Sequence, residues 1–165
     1  MTELKPFRIQ QVMDIEGKYR TIETDKLFEA ARTAACAELA NGPVLNSAET
    51  AINHLTAILG HVQHEIFAAV WLDSRNKSIE YCELFRGSIN SSQIYPREVV
   101  KTALALNASS VIFVHNHPSG NPESSHADIS ITHGLKDVLK VIEVDILDHI
   151  VIGSHSFSMK SHGLF

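Results

Sequence analysis

Two stretches of the chain are apolar without a break. Glu65–Asp73, apolar from Ile66 to Leu72, and the run Val111–Val114 both read as strands covered on two faces, since a half-exposed strand would place a polar residue at every second position. A polar turn, Asp73-Ser74-Arg75-Asn76-Lys77, follows the first. Ser78–Phe85 then returns with Ile79, Tyr81, Leu84 and Phe85. The pair predicts an antiparallel hairpin with a loop longer than two residues. Apolar residues elsewhere recur at helical spacing. Thr24 is the expected N-cap of a first helix with Asp25 in its first turn, and Leu27, Phe28, Ala31, Ala34 and Ala35 carry it to about Ala40. Asn41-Gly42-Pro43 stops it, because glycine fits the left-handed position and proline cannot continue.

Ser47 caps a second helix whose stripe is Ala48, Ala51, Ile52, Leu55, Ile58 and Leu59, ending at Gly60. Pro96 opens a third, where its missing N–H costs nothing, with Val99, Ala103 and Leu106 on the buried side. A fourth runs from about His126 to Lys140 on Ile129, Leu135, Val138 and Leu139. Strands are expected at Val144–Ile152 and near Phe157-Ser158-Met159, and Tyr19–Ile22 reads as a short strand. The alternation of helices and strands argues an α/β layered domain with a mixed sheet. A soft boundary near residue 44 separates an N-terminal accessory helical segment, 1–44, from the main domain, 45–165.

Composition changes little. At 165 residues, 44% hydrophobic and 20% charged, the chain suits one soluble domain with a real core. The net charge of −5 gives no basic footprint for nucleic acid or an anionic membrane, so specific nucleic-acid binding is not expected. No apolar stretch approaches a membrane span, and MTELKPFRIQ lacks a signal-peptide core. Cys36 and Cys82 form no C-x-x-C and suit a reducing cytoplasm as packing residues.

The chemistry gathers where Val111–Val114 opens into His115-Asn116-His117, a breaker-rich loop and Asp128. Alternation along a strand points His115 and His117 to one side, with Cα atoms roughly 6.6 Å apart. That separation lets two imidazoles close on one ion, and a carboxylate returned by the loop makes three protein ligands, the open arrangement of a catalytic zinc site. A polar strand end has the same spelling. Ser125-His126-Ala127-Asp128 also reads as a capping box with an acid at its third helical position, so spacing alone does not separate cap from ligand. Of ten histidines, His61 and His64 read as loop surface, and His126 and His133 as solvent-facing.

His115-x-His117-Pro118 followed by Ser125-x-x-Asp128 resembles the JAMM (MPN+) metalloprotease motif. The longer string HNHPSGNPESSHAD, with LFRGSINSSQIYPREVVKTAL upstream and LDHIVIG downstream, is similar to the RadC-like branch of that family. The resemblance runs from about Ser47 to the C-terminus. It implies a three-layer α/β/α JAB/MPN fold, cytidine-deaminase-like, and one Zn²⁺ per chain held by His115, His117 and Asp128. It implies Glu65 as the general acid–base and Ser125 as a donor to the developing oxyanion, in amide hydrolysis of a peptide or protein by a metal-activated water. Asp148 and His149 match positions typical of the RadC-like branch and are expected to hold the ligands by hydrogen bonds from behind, or to serve structure.

A true deaminase is excluded, because H-x-E and P-C-x-x-C do not occur. The same resemblance carries a non-catalytic alternative, a DNA-repair-associated or interaction module. No helix-hairpin-helix segment is recognisable in 1–44, and all four of Glu65, His115, His117 and Asp128 are present, which argues against a ligand-free scaffold. Arg86, Ser88, Asn90 and Ser91 suit either the rim of the site or ordinary turn chemistry. A homo-oligomer contact through 1–44 remains an open expectation.

Overall fold

The structure, a computed structural model, describes residues 10–13, 16–45, 47–87 and 94–165. Its elements are β1 (Gln10–Met13), β2 (Tyr19–Ile22), α1 (Thr24–Ala40), α2 (Ala48–Leu59), β3 (Ile66–Leu72) and β4 (Ser78–Arg86). They continue with α3 (Pro96–Ala105), β5 (Ser110–Asn116), α4 (His126–Val141), β6 (Asp145–Ile152) and β7 (Ser156–Ser158). The main sheet has the order β4-β3-β5-β6-β7, and only the β5–β6 pair is parallel. The sheet is therefore mixed, as expected, and the polypeptide crosses over through α4 to make that parallel pair.

Alternation in β3 explains the layers. Ile66, Ala68, Val70 and Leu72 enter a core with Ala35 and Leu39 of α1 and Ala51, Leu55, Ile58 and Leu59 of α2. Phe67, Ala69 and Trp71 enter the other core, with Val99 and Ala103 of α3 and Leu135 and Leu139 of α4. Every residue of β3 and β5 is buried. Each large side chain so buried stabilises the fold by about 1.5–3 kcal/mol, and the two cores sandwich the sheet as α/β/α.

The N-terminal segment carries the expected short strand at Tyr19–Ile22 together with a second strand that was not expected. β1 and β2 make a separate two-stranded antiparallel hairpin, turned through Gly17 at φ 77°. Four residues with one valine and one methionine among glutamines are too short a pattern to announce β1. α1 is capped by Glu23 with no side-chain hydrogen bond, and Thr24 is its first helical residue instead of the cap. At its other end Asn41 caps and Gly42 takes φ 71°, the left-handed stop. Ser47 caps α2 as expected, accepting from Thr50 N at 3.2 Å. The loop residues Ser88, Asn90 and Ser91 lie outside the described residues. Among the described residues, no helix is long and apolar enough to cross a membrane.

Candidate metal centre

β5 lies in the middle of the sheet and delivers His115 near its C-terminal end, on the α3/α4 side. His117 follows where the strand gives way to the loop, and the loop returns Asp128 in the first turn of α4. Ligand atoms of these three residues all lie within 4.8 Å of one another. The Nε2 atoms of His115 and His117 are 3.0 Å apart. His115 Nε2 is 3.4 Å from Asp128 Oδ1, and His117 Nε2 is 3.8 Å from Asp128 Oδ2. A tetrahedral ion with bonds of about 2.0–2.1 Å holds its ligand atoms about 3.3–3.4 Å apart. The His–His distance is shorter than that value, and the two His–Asp distances, measured to different carboxylate oxygens, lie at and above it, so the three side chains form a group that could hold a divalent ion. His115 and Asp128 are each 1% exposed, whereas His117 is partly open to solvent.

The capping reading of Asp128 is realised, and it leaves an atom over for the other. Its Oδ2 accepts from the Ser125 amide at 2.6 Å, while Ser125 Oγ accepts from the Asp128 amide at 3.2 Å, completing a capping box. Its Oδ1 is left to face His115. Burial acts to raise the carboxyl's pKa, but His115 and the two Ser125 hydrogen bonds outweigh it and hold the group well below the usual carboxylate range. Asp128 is thus ionised, as a ligand must be.

Each imidazole is held from behind. His117 Nδ1 donates to the Asn121 carbonyl at 2.8 Å. His115 Nδ1 lies 2.8 Å from His149 Nε2, and His149 Nδ1 lies 2.6 Å from Thr132 Oγ1. Phe67 and Phe113 pack edge-on against the His149 ring, with centroids 5.5 and 6.2 Å away. Burial, with the nearby His115, pushes His149 well below the ordinary histidine pKa and keeps it neutral.

Asp148 is elsewhere, and the reason is a bulge. The β5–β6 register steps from Val111↔Ile146 to Ile112↔Asp148, passing over Leu147. One extra residue inverts the alternation that follows. Without it, Asp148 would face the histidines and His149 the opposite core. With it, His149 reaches His115, and Asp148 accepts from Ser158 Oγ at 2.6 Å and Lys160 N at 3.2 Å on the far side of the sheet. Asp148 therefore bonds at the β6–β7 end, and of that pair only His149 touches a residue of the His–His–Asp group.

Glu65 stands half-buried just before β3. The β3–β5 pairing ends at Phe67↔His115, two residues short of Glu65, which is not among the three residues whose ligand atoms converge. Asn116 ties the chain on either side of Glu65 to β5. Its side chain accepts from Ile66 N at 2.8 Å and donates to the carbonyls of Val62 at 3.1 Å and His64 at 3.0 Å. Ser125 is exposed at the α4 N-terminus beside Asp128. His61, His64, His126 and His133 are exposed, as their sequence context implies. Thr132 escaped the sequence reading. Its signal was a threonine in the helical face Asp128, Thr132, Leu135, Leu139, all of it buried.

An α/β/α domain with a His–His–Asp group, partly open to solvent at His117, at the end of its central strand is the class this geometry defines. Residues 45–164 match the family described as the RadC-like JAB domain, and the chain belongs to that family. It is 46% identical over 122 residues to a UPF0758 protein of Vibrio cholerae, covering 74% of this chain and 77% of that one. It is 44% identical over 140 residues to a UPF0758 protein of Leptothrix cholodnii, covering 85% of this chain but 63% of the relative. A UPF0758 protein of Marinobacter nauticus is 42% identical over 160 residues, 94% of this chain and 70% of that one. The chain thus spans between about three fifths and three quarters of the length of these relatives, whose names state no reaction.

Proposed function

We propose that this chain is a zinc-dependent hydrolase that cleaves an amide bond in a peptide or protein, as a peptidase or isopeptidase. The supporting observation is the convergence of His115, His117 and the ionised Asp128 carboxylate, with ligand atoms all within 4.8 Å of one another. His115, His117 and Asp128 would hold the ion, which when bound polarises a carbonyl and makes water acidic enough to attack near neutral pH. Three protein ligands leave a position open for chemistry.

The remaining work falls to the chain's own groups. Glu65 takes the proton from the attacking water and returns it to the leaving amine. Ser125 caps α4 with an oxygen lone pair. Its hydroxyl, exposed at the α4 N-terminus, would donate to the oxyanion that develops on the attacked carbonyl. Phe67, Phe113 and the rest of the α3/α4 core exclude water behind the histidines and strengthen these interactions. A net charge of −5 favours a protein substrate over a nucleic acid.

Metal analysis of the purified protein beside His117→Ala tests this reading. The parent should carry about one divalent ion per chain, the variant far less, and a chelator should lower only the parent's thermal midpoint. An ion-free parent whose melting does not respond to added Zn²⁺ would overturn it.

A further inference from the structure

Hydrogen bonds that start on a main-chain carbonyl have a fixed direction, because a carbonyl can only accept. Thr132 Oγ1 donates to the Asp128 carbonyl at 2.6 Å, one helical turn back in α4. Its single proton is spent there, so toward His149 Nδ1, 2.6 Å away, the hydroxyl can only accept. His149 therefore carries its proton on Nδ1 and offers a lone pair at Nε2. That lone pair faces His115 Nδ1 at 2.8 Å, so His115 donates there. In neutral His115 the lone pair is then on Nε2, the atom directed at His117 and Asp128. Thr132 and His149 are both fully buried.

Resting on the metal-site reading above, we propose that Thr132 and His149 are positioning residues. They fix the tautomer of His115 through a one-way relay anchored on the main chain of Asp128. The anchor and the carboxylate ligand belong to the same residue. The first turn of α4 thereby sets both the acid that binds the ion and the protonation pattern of the imidazole opposite it. Histidine ligands are commonly oriented by a single partner; here two buried side chains in series transmit the choice.

Thr132→Val keeps the shape and removes the acceptor. His149 would then move its proton to Nε2 and force His115 to accept at Nδ1, which places a proton on the ligating nitrogen. Zinc affinity, measured by competition with a chromogenic chelator, should fall about 10–100-fold in Thr132→Val. Thr132→Ser, which restores the hydroxyl, should return it to near the parent value. Long-range ¹H–¹⁵N spectra of the metal-free proteins read the tautomer without reference to activity. His149 should carry its proton on Nδ1 in the parent and in Thr132→Ser, and on Nε2 in Thr132→Val. A parent with the His149 proton on Nε2 overturns the relay, even if Thr132→Val fails to fold. Equal zinc binding by the parent and Thr132→Val also overturns it while leaving the metal site intact. A parent that binds no zinc overturns both readings together.

Discussion

Gly153 offers a way to disturb the proposed metal centre without touching any ligand. It lies in the turn between β6 and β7, which is laced to the loop after β5. His117 N donates to the Ile152 carbonyl at 2.8 Å, and Ser154 N donates to the Gly120 carbonyl at 2.8 Å. A Cβ at position 153 would sit 2.5 Å from Asn121 O, 2.7 Å from Asn121 C and 2.8 Å from Gly120 O. All three are main-chain atoms, so no flexible side chain can swing clear. Ordinary non-bonded separation is about 3.5 Å, so the Gly120 and Asn121 carbonyls must yield by about 0.7–1 Å in Gly153→Ala. The Asn121 carbonyl is the acceptor for His117 Nδ1, and whichever way it yields, the ring that hangs on it moves too. Overpacking of this kind costs about 1–3 kcal/mol, and loss of the hydrogen bond adds about 0.5–1.5 kcal/mol.

The assay separates packing from ligand orientation. Thermal melts of the parent and of Gly153→Ala, each without metal and with saturating zinc, give a zinc-dependent increment for each protein. That increment follows RT ln(1 + [L]/Kd), so a 10–100-fold weaker Kd shrinks it by about 1.4–2.7 kcal/mol. The reasoning predicts both a lower metal-free midpoint and a smaller increment. A lower midpoint with an undiminished increment would refute it, since the turn would then support packing alone.

Glu65→Gln keeps size and hydrogen-bonding shape, so metal content should stay at the parent level while turnover of a cleavable substrate falls about 100- to 10,000-fold. Loss of metal in that variant would make Glu65 a ligand. Ser125→Ala should cost about 1 kcal/mol in denaturant unfolding through the cap, and about 100-fold in turnover through the lost donor; a stability loss without a rate loss would leave capping as its whole role. Gly134→Ala, on the exposed side of α4 with open space around the added Cβ, should raise stability by up to about 1 kcal/mol through helix propensity alone, with zinc affinity unchanged.

How much was legible in the sequence follows from how locally each feature is specified. β3 and β5 announce themselves because strands buried on both faces need unbroken apolar runs. The capping box of α4 is spelled within four residues. The H-x-H pair needs only strand alternation to converge. Glu65, by contrast, reached the candidate site through family resemblance, because an acid before a strand has no local signature. Features that depend on register were hidden. The bulge at Leu147 exchanges the facings of Asp148 and His149, and alternation counted along β6 cannot see it. Thr132 looks like a polar residue in a helix until β6 brings His149 against it. Gly153 looks like turn punctuation until the Gly120 and Asn121 carbonyls are found where its side chain would be.

The orientation of all three proposed ligands comes to rest on main-chain groups of one short segment. His117 leans on the Asn121 carbonyl, Asp128 on the Ser125 amide, and His115, through two side chains, on the Asp128 carbonyl. The breaker-rich stretch between β5 and α4 is therefore a frame held by main-chain hydrogen bonds. The two cores that flank the sheet bury Trp71, Phe67, Phe113 and a full set of aliphatic residues without reference to the ligands. Small metallodomains that lack such cores fold only with their ion. This domain has the cores, so the entropy of gathering two imidazoles and a carboxylate is met by apolar burial and not by the metal. Chelation should consequently lower the midpoint by the linkage term alone and leave the secondary structure in place at room temperature, as circular dichroism would record. Unfolding on chelation would mean that the ion, and not the frame, brings the three ligands together.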